Sequence, residues 1–261
     1  MLVTTQIEDG IATVSLNRPD KKNAMSLDLL EELLTAATAL RDAAGLRAVI
    51  LTGAGGVFSA GIDVSMMMTM AGRLEELKAK LAEGDATGAN SFQAPVTVWA
   101  ALPVPVIAAV EGLCFGAGMQ LALGADFRVV APDTRMSIME AKWGLIPDMG
   151  ITQSLPKLMR ADQAKMLMMT GGEFTGQEAL KMGLATEVSE TPLARALEIA
   201  GAFKLKSPQA LAGSKQLVED AWGGGPEALR LEASLQAALM GSANQLEAVM
   251  SNMQKRPPKF G

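Results

Sequence analysis

Residues 105–130 read PVIAAVEGLCFGAGMQLALGADFRVV, and the order of elements in this stretch decides the fold. An apolar run over 105–111 leads into a loop carrying Gly116 and Gly118, then a helical segment over 117–125 and a strand through 126–131. Strand, helix and strand in succession predict a buried, largely parallel sheet with helices outside it, because parallel neighbours need a crossover between them. Upstream, residues 2–8 and 11–17 alternate apolar and polar side chains about Asp9 and Gly10, which predicts a hairpin. Ser26 stands as N-cap of a helix over 26–43, with Asp28 in its first turn and Leu27, Leu30, Leu34 and Ala37 at helical spacing. Residues 47–52 give the next short apolar strand.

Residues 64–101 read as helical, rich in Met and small side chains, with a loop near 84–88. Beyond about residue 160 the pattern is almost entirely helical, over 161–170, 176–183, 192–205, 207–221 and 226–254. This divides the chain into a core over 1–200 that carries the site and a helical region over 201–261 that packs on the core or on a neighbouring subunit.

Composition removes whole classes of chemistry. Across 261 residues, 49% are hydrophobic, ample for a sizeable core, and the net charge of -5 with no basic cluster argues against nucleic acid or a membrane surface as partner. No histidine is present, which excludes Ser-His-Asp and Cys-His catalysis and every imidazole zinc site. Tyrosine is absent too, so proton transfer falls to Asp, Glu, Lys, Cys or bound water. Cys114 is alone, cannot form an intrachain disulfide, and reads as core. With no secretory segment after Met1 and no long uncharged span, the expected location is the cytoplasm.

The glycine clusters fail as nucleotide motifs. After Gly53 and Gly55 the third glycine of a dinucleotide fingerprint is replaced by Phe58, after Gly116 and Gly118 by Leu121, and Gly213, Ser214 and Lys215 are in the wrong order for a P-loop. What the loops at 58–63 and 115–118 share is position, each leaving the end of a short buried strand. Either they are tight turns, or their uncovered backbone N–H groups converge on one oxygen as an oxyanion hole.

An ordered series of motifs resolves that choice. SLNRP (15–19) with Lys22, Asn23 and Ala24, VILTGAGGVFSAGID (49–63), the 105–129 stretch and MEAKWGLIPDMGITQSLPKL (139–158) stand in sequence. Thr170 with Gly171, Glu178 with Gly183, and Ser207 with Pro208 ahead of Lys215 complete it. Over nearly its full length the chain resembles the crotonase (enoyl-CoA hydratase/isomerase) superfamily. The resemblance implies an α/β fold, a crotonase-type spiral of ββα turns with a helical C-terminal trimerisation region, assembled as a homotrimer or hexamer. It also implies an acyl-CoA thioester substrate in fatty acid metabolism, with coenzyme A entering as part of the substrate and no separate cofactor or metal.

Carried over to this chain, the resemblance assigns the oxyanion donors to the backbone of Ala60 and Ala117. Alanine stands at 117 where the family usually has glycine, which requires a negative φ there. The backbone of Ala60 to Asp63, with Gly61 and Ile62 between, and that near Ala24 match the segments holding coenzyme A. Lys22 either meets a phosphate or is simply solvated.

The carboxylates bear on the reaction. The family's hydratases have glutamates at the positions of Gln120 and Glu140, and an amide at 120 cannot take a proton at neutral pH. Glu140, among Met136, Ile138, Met139 and Trp143, is expected to have its pKa raised toward that of a working base, unless it is an exposed helix-start glutamate. Asp148 matches an aspartate of the dienoyl-CoA isomerases, although those also carry an aspartate at the position of Gln120; alternatively Asp148 caps the loop after Pro147. This pattern favours double-bond isomerisation by Glu140, with or without Asp148. The alternatives are hydration with Gln120 orienting water, and an acyl-CoA-binding protein without catalysis. Met66, Met67, Met68 and Met70 and Trp143 either line an acyl pocket or pack in the core, and Glu111 reads as a loop-end or intersubunit contact.

Overall fold

The computed structural model describes residues 1–63, 65 and 74–261. Strands β1 (Val3–Glu8) and β2 (Ile11–Leu16) form the expected hairpin, with Glu8 opposite Ile11. Asp9 and Gly10 take the two positive φ values, 49° and 76°, that such a two-residue turn demands. The next helix, Leu27–Arg41, is capped by Ser26, whose Oγ accepts from the Leu29 N–H at 3.3 Å. Its buried face is Leu29, Leu30, Leu33, Ala37 and Leu40, turned from the face expected from sequence; Leu27 is exposed.

Strand β3 (Ala48–Gly53) runs parallel to β2, and β4 (Val106–Val110) runs parallel to β3. Strand β5 (Leu113–Phe115) belongs to a second sheet, while β6 (Phe127–Val130) returns beside β4. Strands β7 (Arg135–Ser137) and β8 (Phe174–Thr175) complete the second sheet in the order β5-β7-β8. With β9 (Glu187–Val188), the first sheet has the order β1-β2-β3-β4-β6-β9, antiparallel only at the opening hairpin.

Every residue of β3 and β4 is buried, and the two-residue period divides them between two cores. Val49, Leu51, Val106, Ala108 and Val110 join the larger core with the Leu27–Arg41 helix. On the other face Ala48, Ile50, Ile107, Ala109 and Val129 pack on Ala196 and Ala200 of the helix Pro192–Lys204. Each large aliphatic side chain so buried contributes about 1.5–3 kcal/mol, which makes this double-sided sheet the rigid frame of the molecule.

The second sheet places the site. Beyond the carboxyl end of β4 the chain passes directly into β5, and a parallel bridge between Ser59 and Cys114 adds the 58–63 loop to its edge. A further bridge joins Met25 to Ile62. Segments 23–25, 59–63 and 113–117 therefore lie side by side past the ends of β3 and β4.

Elsewhere the helices follow the sequence pattern with one correction. The single helix expected over 226–254 is two, Pro226–Leu239 and Ala243–Met253. Gly241 adopts φ 75° between them, and Ser242 Oγ caps the second by accepting from the Gln245 N–H. Within 64–101, helices Leu74–Ala82 and Ala94–Thr97 flank a turn in which Asp85 accepts from Thr87 and Ala89. Helix Pro208–Ala221 is fastened to the core by Lys215, which pairs with Asp126 at 2.8 Å and donates to the Trp99 and Val104 carbonyls. Among the described residues, no helix is long and apolar enough to cross a membrane.

Candidate active site

Asn23 organises the entrance of the first loop. Wholly buried at φ 53°, it accepts from the Arg18 N–H through Oδ1 and donates through Nδ2 to the Ala54 and Val57 carbonyls. Its own carbonyl accepts from Ser59 Oγ at 2.8 Å. Three of these contacts bind the 18–24 segment to the 54–59 loop, and the fourth closes the segment on itself. Asparagine tolerates the left-handed region better than other side chains, and that propensity is the sequence signal that marks it.

The backbone hydrogen bonds of the 60–63 segment correct one expectation. Ala60 N–H donates to Lys22 O at 2.9 Å, so it is engaged within the fold. Gly61 N–H donates to Ser59 Oγ, and Asp63 N–H to Met25 O. Ile62 N–H alone of the four has no acceptor among the described residues. In an unbroken strand Ala60 and Ile62 would point their N–H groups the same way, but φ of 93° at Gly61 breaks the alternation. Asp63 N–H faces Met25, so that of Ile62 faces the opposite edge, where Phe115, Gly116 and Ala117 run.

The closeness of those two loops is measurable at Gly61. A Cβ added there would lie 2.9 Å from Phe115 O and 3.8 Å from the Ala117 nitrogen. Ala117 begins the fully buried helix Ala117–Leu123, so its N–H has no partner within that helix. Its φ is not positive, as alanine at this position requires. Gly118 lets the helix start press on the first loop, because a Cβ there would meet Ser59 Cβ at 2.6 Å. Among the described residues, the backbone N–H groups of Ile62 and Ala117 are thus left without an acceptor.

Glu140 opens the short 3-10 helix Glu140–Trp143. A Cβ at Gly116 would lie 3.5 Å from its Oε1, which puts the carboxylate beside the same helix start. Oε1 accepts from Gln120 Nε2 at 2.7 Å, while Oε2 is buried with no partner among the described residues. Burial is the main force raising the Glu140 pKa above its ordinary 4.5, with Asp148 adding to the rise and the Gln120 hydrogen bond opposing it.

Gln120 is itself buried, and its Oε1 accepts from the Met149 N–H at 2.8 Å. Asp148, the residue before Met149, is open to solvent yet closely surrounded by protein, and desolvation raises its pKa as well. The structure thus brings Ala117, Gln120, Glu140 and the Asp148 loop together. Met149 was not marked by the sequence; its role is carried by a backbone group and leaves no side-chain signature.

The remaining candidates divide. Asp63 is tied to Arg18 at 2.7 Å and accepts from Ser65, whose hydroxyl leads in holding its pKa down at about 2. Its side chain therefore anchors the loop. Ala24 N–H donates to Lys21 O and its carbonyl accepts from Arg18 Nη1. Lys22 is exposed, with a left-handed φ of 51°. Trp143 is half exposed, together with Leu145 and Ile146, and is no core residue. Met66, Met67, Met68 and Met70 lie outside the described residues. Cys114 is fully buried and its thiol is pushed up by desolvation. Glu111 stands just past the end of β4, where its carbonyl accepts from the Phe58 N–H.

The chain that carries this site has known relatives over its whole length. The Enoyl-CoA hydratase/isomerase family profile matches residues 6–261. The chain is 32% identical to the probable enoyl-CoA hydratase echA6 of Mycobacterium tuberculosis over 100% of its own length and 99% of the relative's. It is 30% identical to the peroxisomal Delta(3,5)-Delta(2,4)-dienoyl-CoA isomerase of Arabidopsis thaliana, over 99% of this chain and 95% of that one. The crystal structure of an enoyl-CoA hydratase from Bacillus anthracis superposes with a TM-score of 0.90 at 30% identity, covering 100% and 99% of the two chains. Fold and whole-length similarity agree: this chain belongs to the enoyl-CoA hydratase/isomerase family, with the crotonase fold.

Proposed function

We propose that the protein isomerises the double bond of an unsaturated acyl-CoA, with Glu140 as the acid-base group. The observation that carries this reading is the buried, unpartnered Oε2 of Glu140 beside an amide at 120 where a second acid would be needed to split water. In the proposed cycle the thioester oxygen accepts from the Ile62 and Ala117 N–H groups. Glu140 Oε2 removes a proton from the carbon next to the thioester; the C–H electron pair passes into the enolate, whose negative charge the two donors stabilise. A proton then returns to the far carbon and the double bond moves toward the thioester, with no atom gained or lost. Asp148 serves as the second proton carrier where the acyl chain is conjugated.

The cytoplasmic location and self-association as a trimer or pair of trimers belong to the same proposal. Leu229 and Met253 of the C-terminal helices and Met240 between them, with Met166 and Met169 of the helix Ala161–Thr170, leave apolar surface uncovered in the single chain.

The test is turnover of 2-enoyl, 3-enoyl and 3,5-dienoyl thioesters of coenzyme A by wild type and Glu140→Gln. Conversion of 3-enoyl or dienoyl substrates, lost in the variant, is expected. Formation of 3-hydroxyacyl product from the 2-enoyl substrate alone would instead establish hydration, the activity named in the Mycobacterium tuberculosis and Bacillus anthracis relatives. Binding of every thioester with no turnover of any would establish a non-catalytic acyl-CoA binder.

A further inference from the structure

The Gln120 amide touches both halves of the proton-transfer machinery. Its Nε2 donates to Glu140 Oε1 at 2.7 Å, and its Oε1 accepts from the peptide N–H of Met149 at 2.8 Å, the peptide that joins Met149 to Asp148. The side chain is 1% exposed and rises from the helix whose first N–H is that of Ala117. One rigid helix therefore fixes the oxyanion donor at its start and, through one side chain, both carboxylate-bearing segments.

The segment between the two carboxylates is held by few backbone hydrogen bonds, and its far end is anchored by the buried side chains of Pro147 and Met149. Among the described residues, Leu145 alone over 145–149 donates to another backbone carbonyl, that of Glu140, before the Met149 N–H reaches Gln120. Leu145 and Ile146 are exposed. At the far end, Gly150 adopts φ 86° and fits so closely against Thr97 that an added Cβ would meet its Cγ2 at 2.5 Å. Core packing of Met149 and the fit of Gly150 hold the loop to the body, and the Gln120 amide is the side chain that hydrogen-bonds it to Glu140.

An amide at this place has a property that a carboxyl lacks. Its donor and acceptor ends are fixed at every pH, so the donor always meets Glu140 and the acceptor always meets Met149. A carboxyl could satisfy both partners only while it or Glu140 holds a proton, and with both ionised it would confront Glu140 Oε1 with a like charge. The fixed polarity engages Oε1 and leaves Oε2 as the free oxygen.

We infer that Gln120 is a positioning and specificity-determining residue, an amide spacer that sets the geometry of Glu140 relative to the Asp148 loop and commits the site to moving a proton between carbons rather than to splitting water. This inference rests on the proposed isomerase reading and deepens it. Gln120 takes no proton itself; it acts through Glu140 and through the Asp148–Met149 peptide.

The test uses the full-length protein with Gln120→Met, which preserves volume and removes both hydrogen bonds, and Gln120→Glu, which keeps both only while one of the two carboxyls holds a proton. Asp148 is the titratable group that acts on Glu140, so Asp148→Asn is measured alongside to separate its influence. For Gln120→Met, kcat on a 3-enoyl thioester is expected to fall about 10- to 100-fold with KM changed less than about threefold, the pattern of a lost transition-state arrangement. The acidic limb of its pH profile, and the ¹³C-carboxyl titration of Glu140, move to higher pH because the carboxylate has lost a donor. Gln120→Glu is expected to make 3-hydroxyacyl product from a 2-enoyl thioester. An unmoved Glu140 titration in Gln120→Met, with wild-type kcat, would overturn the positioning role whatever the reaction. A moved titration in a protein whose wild type isomerises nothing would keep the positioning role and remove the isomerase reading alone.

Discussion

Replacing Glu140 by Gln is expected to destroy turnover and at the same time change how stability depends on pH. The variant keeps an acceptor oxygen for Gln120 Nε2 but has no group to titrate. In the wild type, burial followed by Asp148 holds the folded-state pKa of Glu140 above its ordinary 4.5. Between 4.5 and that raised value the folded chain binds more protons than the unfolded one, so stability falls as pH rises through the window. Below it the carboxyl is neutral in both states; above it the full penalty of the buried charge is present. The stability of Glu140→Gln minus that of wild type must therefore climb through the window and then level off. The climb is about 1.4 kcal/mol for each unit of upward displacement, reduced where solvent reaches the carboxylate. A new amide N–H at the Oε2 position lacks a partner and costs about 1–3 kcal/mol, but this term is independent of pH and displaces the curve without bending it. Urea midpoints at constant m-value, measured for both proteins from about pH 4 to pH 8, give the difference directly. Turnover of a 3-enoyl thioester should fall by about 10²–10⁴-fold in the same variant, the usual contribution of a general base. Parallel stability curves for the two proteins would refute the claim that Glu140 is a desolvated carboxylate with a raised pKa, and unchanged turnover would remove it from the chemistry.

Other parts of the site give sharper structural tests. Gly61→Ala combines a φ of 93° with a Cβ 2.9 Å from Phe115 O, so it should destabilise by about 2–4 kcal/mol and lower kcat by moving the Ile62 N–H; wild-type values in urea unfolding and in turnover would contradict this. Asn23→Ala leaves the Arg18 N–H and the Ala54 and Val57 carbonyls without their partner and should cost about 2–4 kcal/mol, read as a shift of the urea midpoint; a shift worth under about 0.5 kcal/mol would show that the clamp is dispensable. Lys215→Met strands Asp126 and should cost about 3–5 kcal/mol, with Asp126→Asn in the same chain restoring part of it; a double variant no better than the single one would show that the pair is not the cause.

The sequence carries the frame of this fold well because the frame is periodic. Ala48 to Gly53 and Val106 to Val110 are continuous apolar runs that can be satisfied only by burial on both faces, and Asp9 and Gly10 name their own turn. The second sheet escapes such a reading because β5, β7 and β8 are two or three residues long, too short for a period to show. The break at Gly241 escapes it for a related reason: apolar residues continue on both sides, and a single glycine decides the outcome by its φ.

Within the site, side-chain types were legible and backbone directions were not. Glu140, Gln120 and Asp148 can be marked from their chemistry alone. Which N–H of the 60–63 segment is free depends instead on Lys22, Ser59 and Met25 taking three of the four, and Gly61 turning the fourth toward Ala117. Those contacts join residues up to 38 positions apart (Lys22 O to Ala60 N), beyond the reach of any local pattern. Gln120 shows the same limit from the other side. Read locally, its amide is a missing acid; placed 2.8 Å from the Met149 N–H and 2.7 Å from Glu140, it is a polar link with a donor at one end and an acceptor at the other. Loss of a proton carrier and gain of a spacer are then one substitution, and its consequence for the reaction follows from the geometry of both ends.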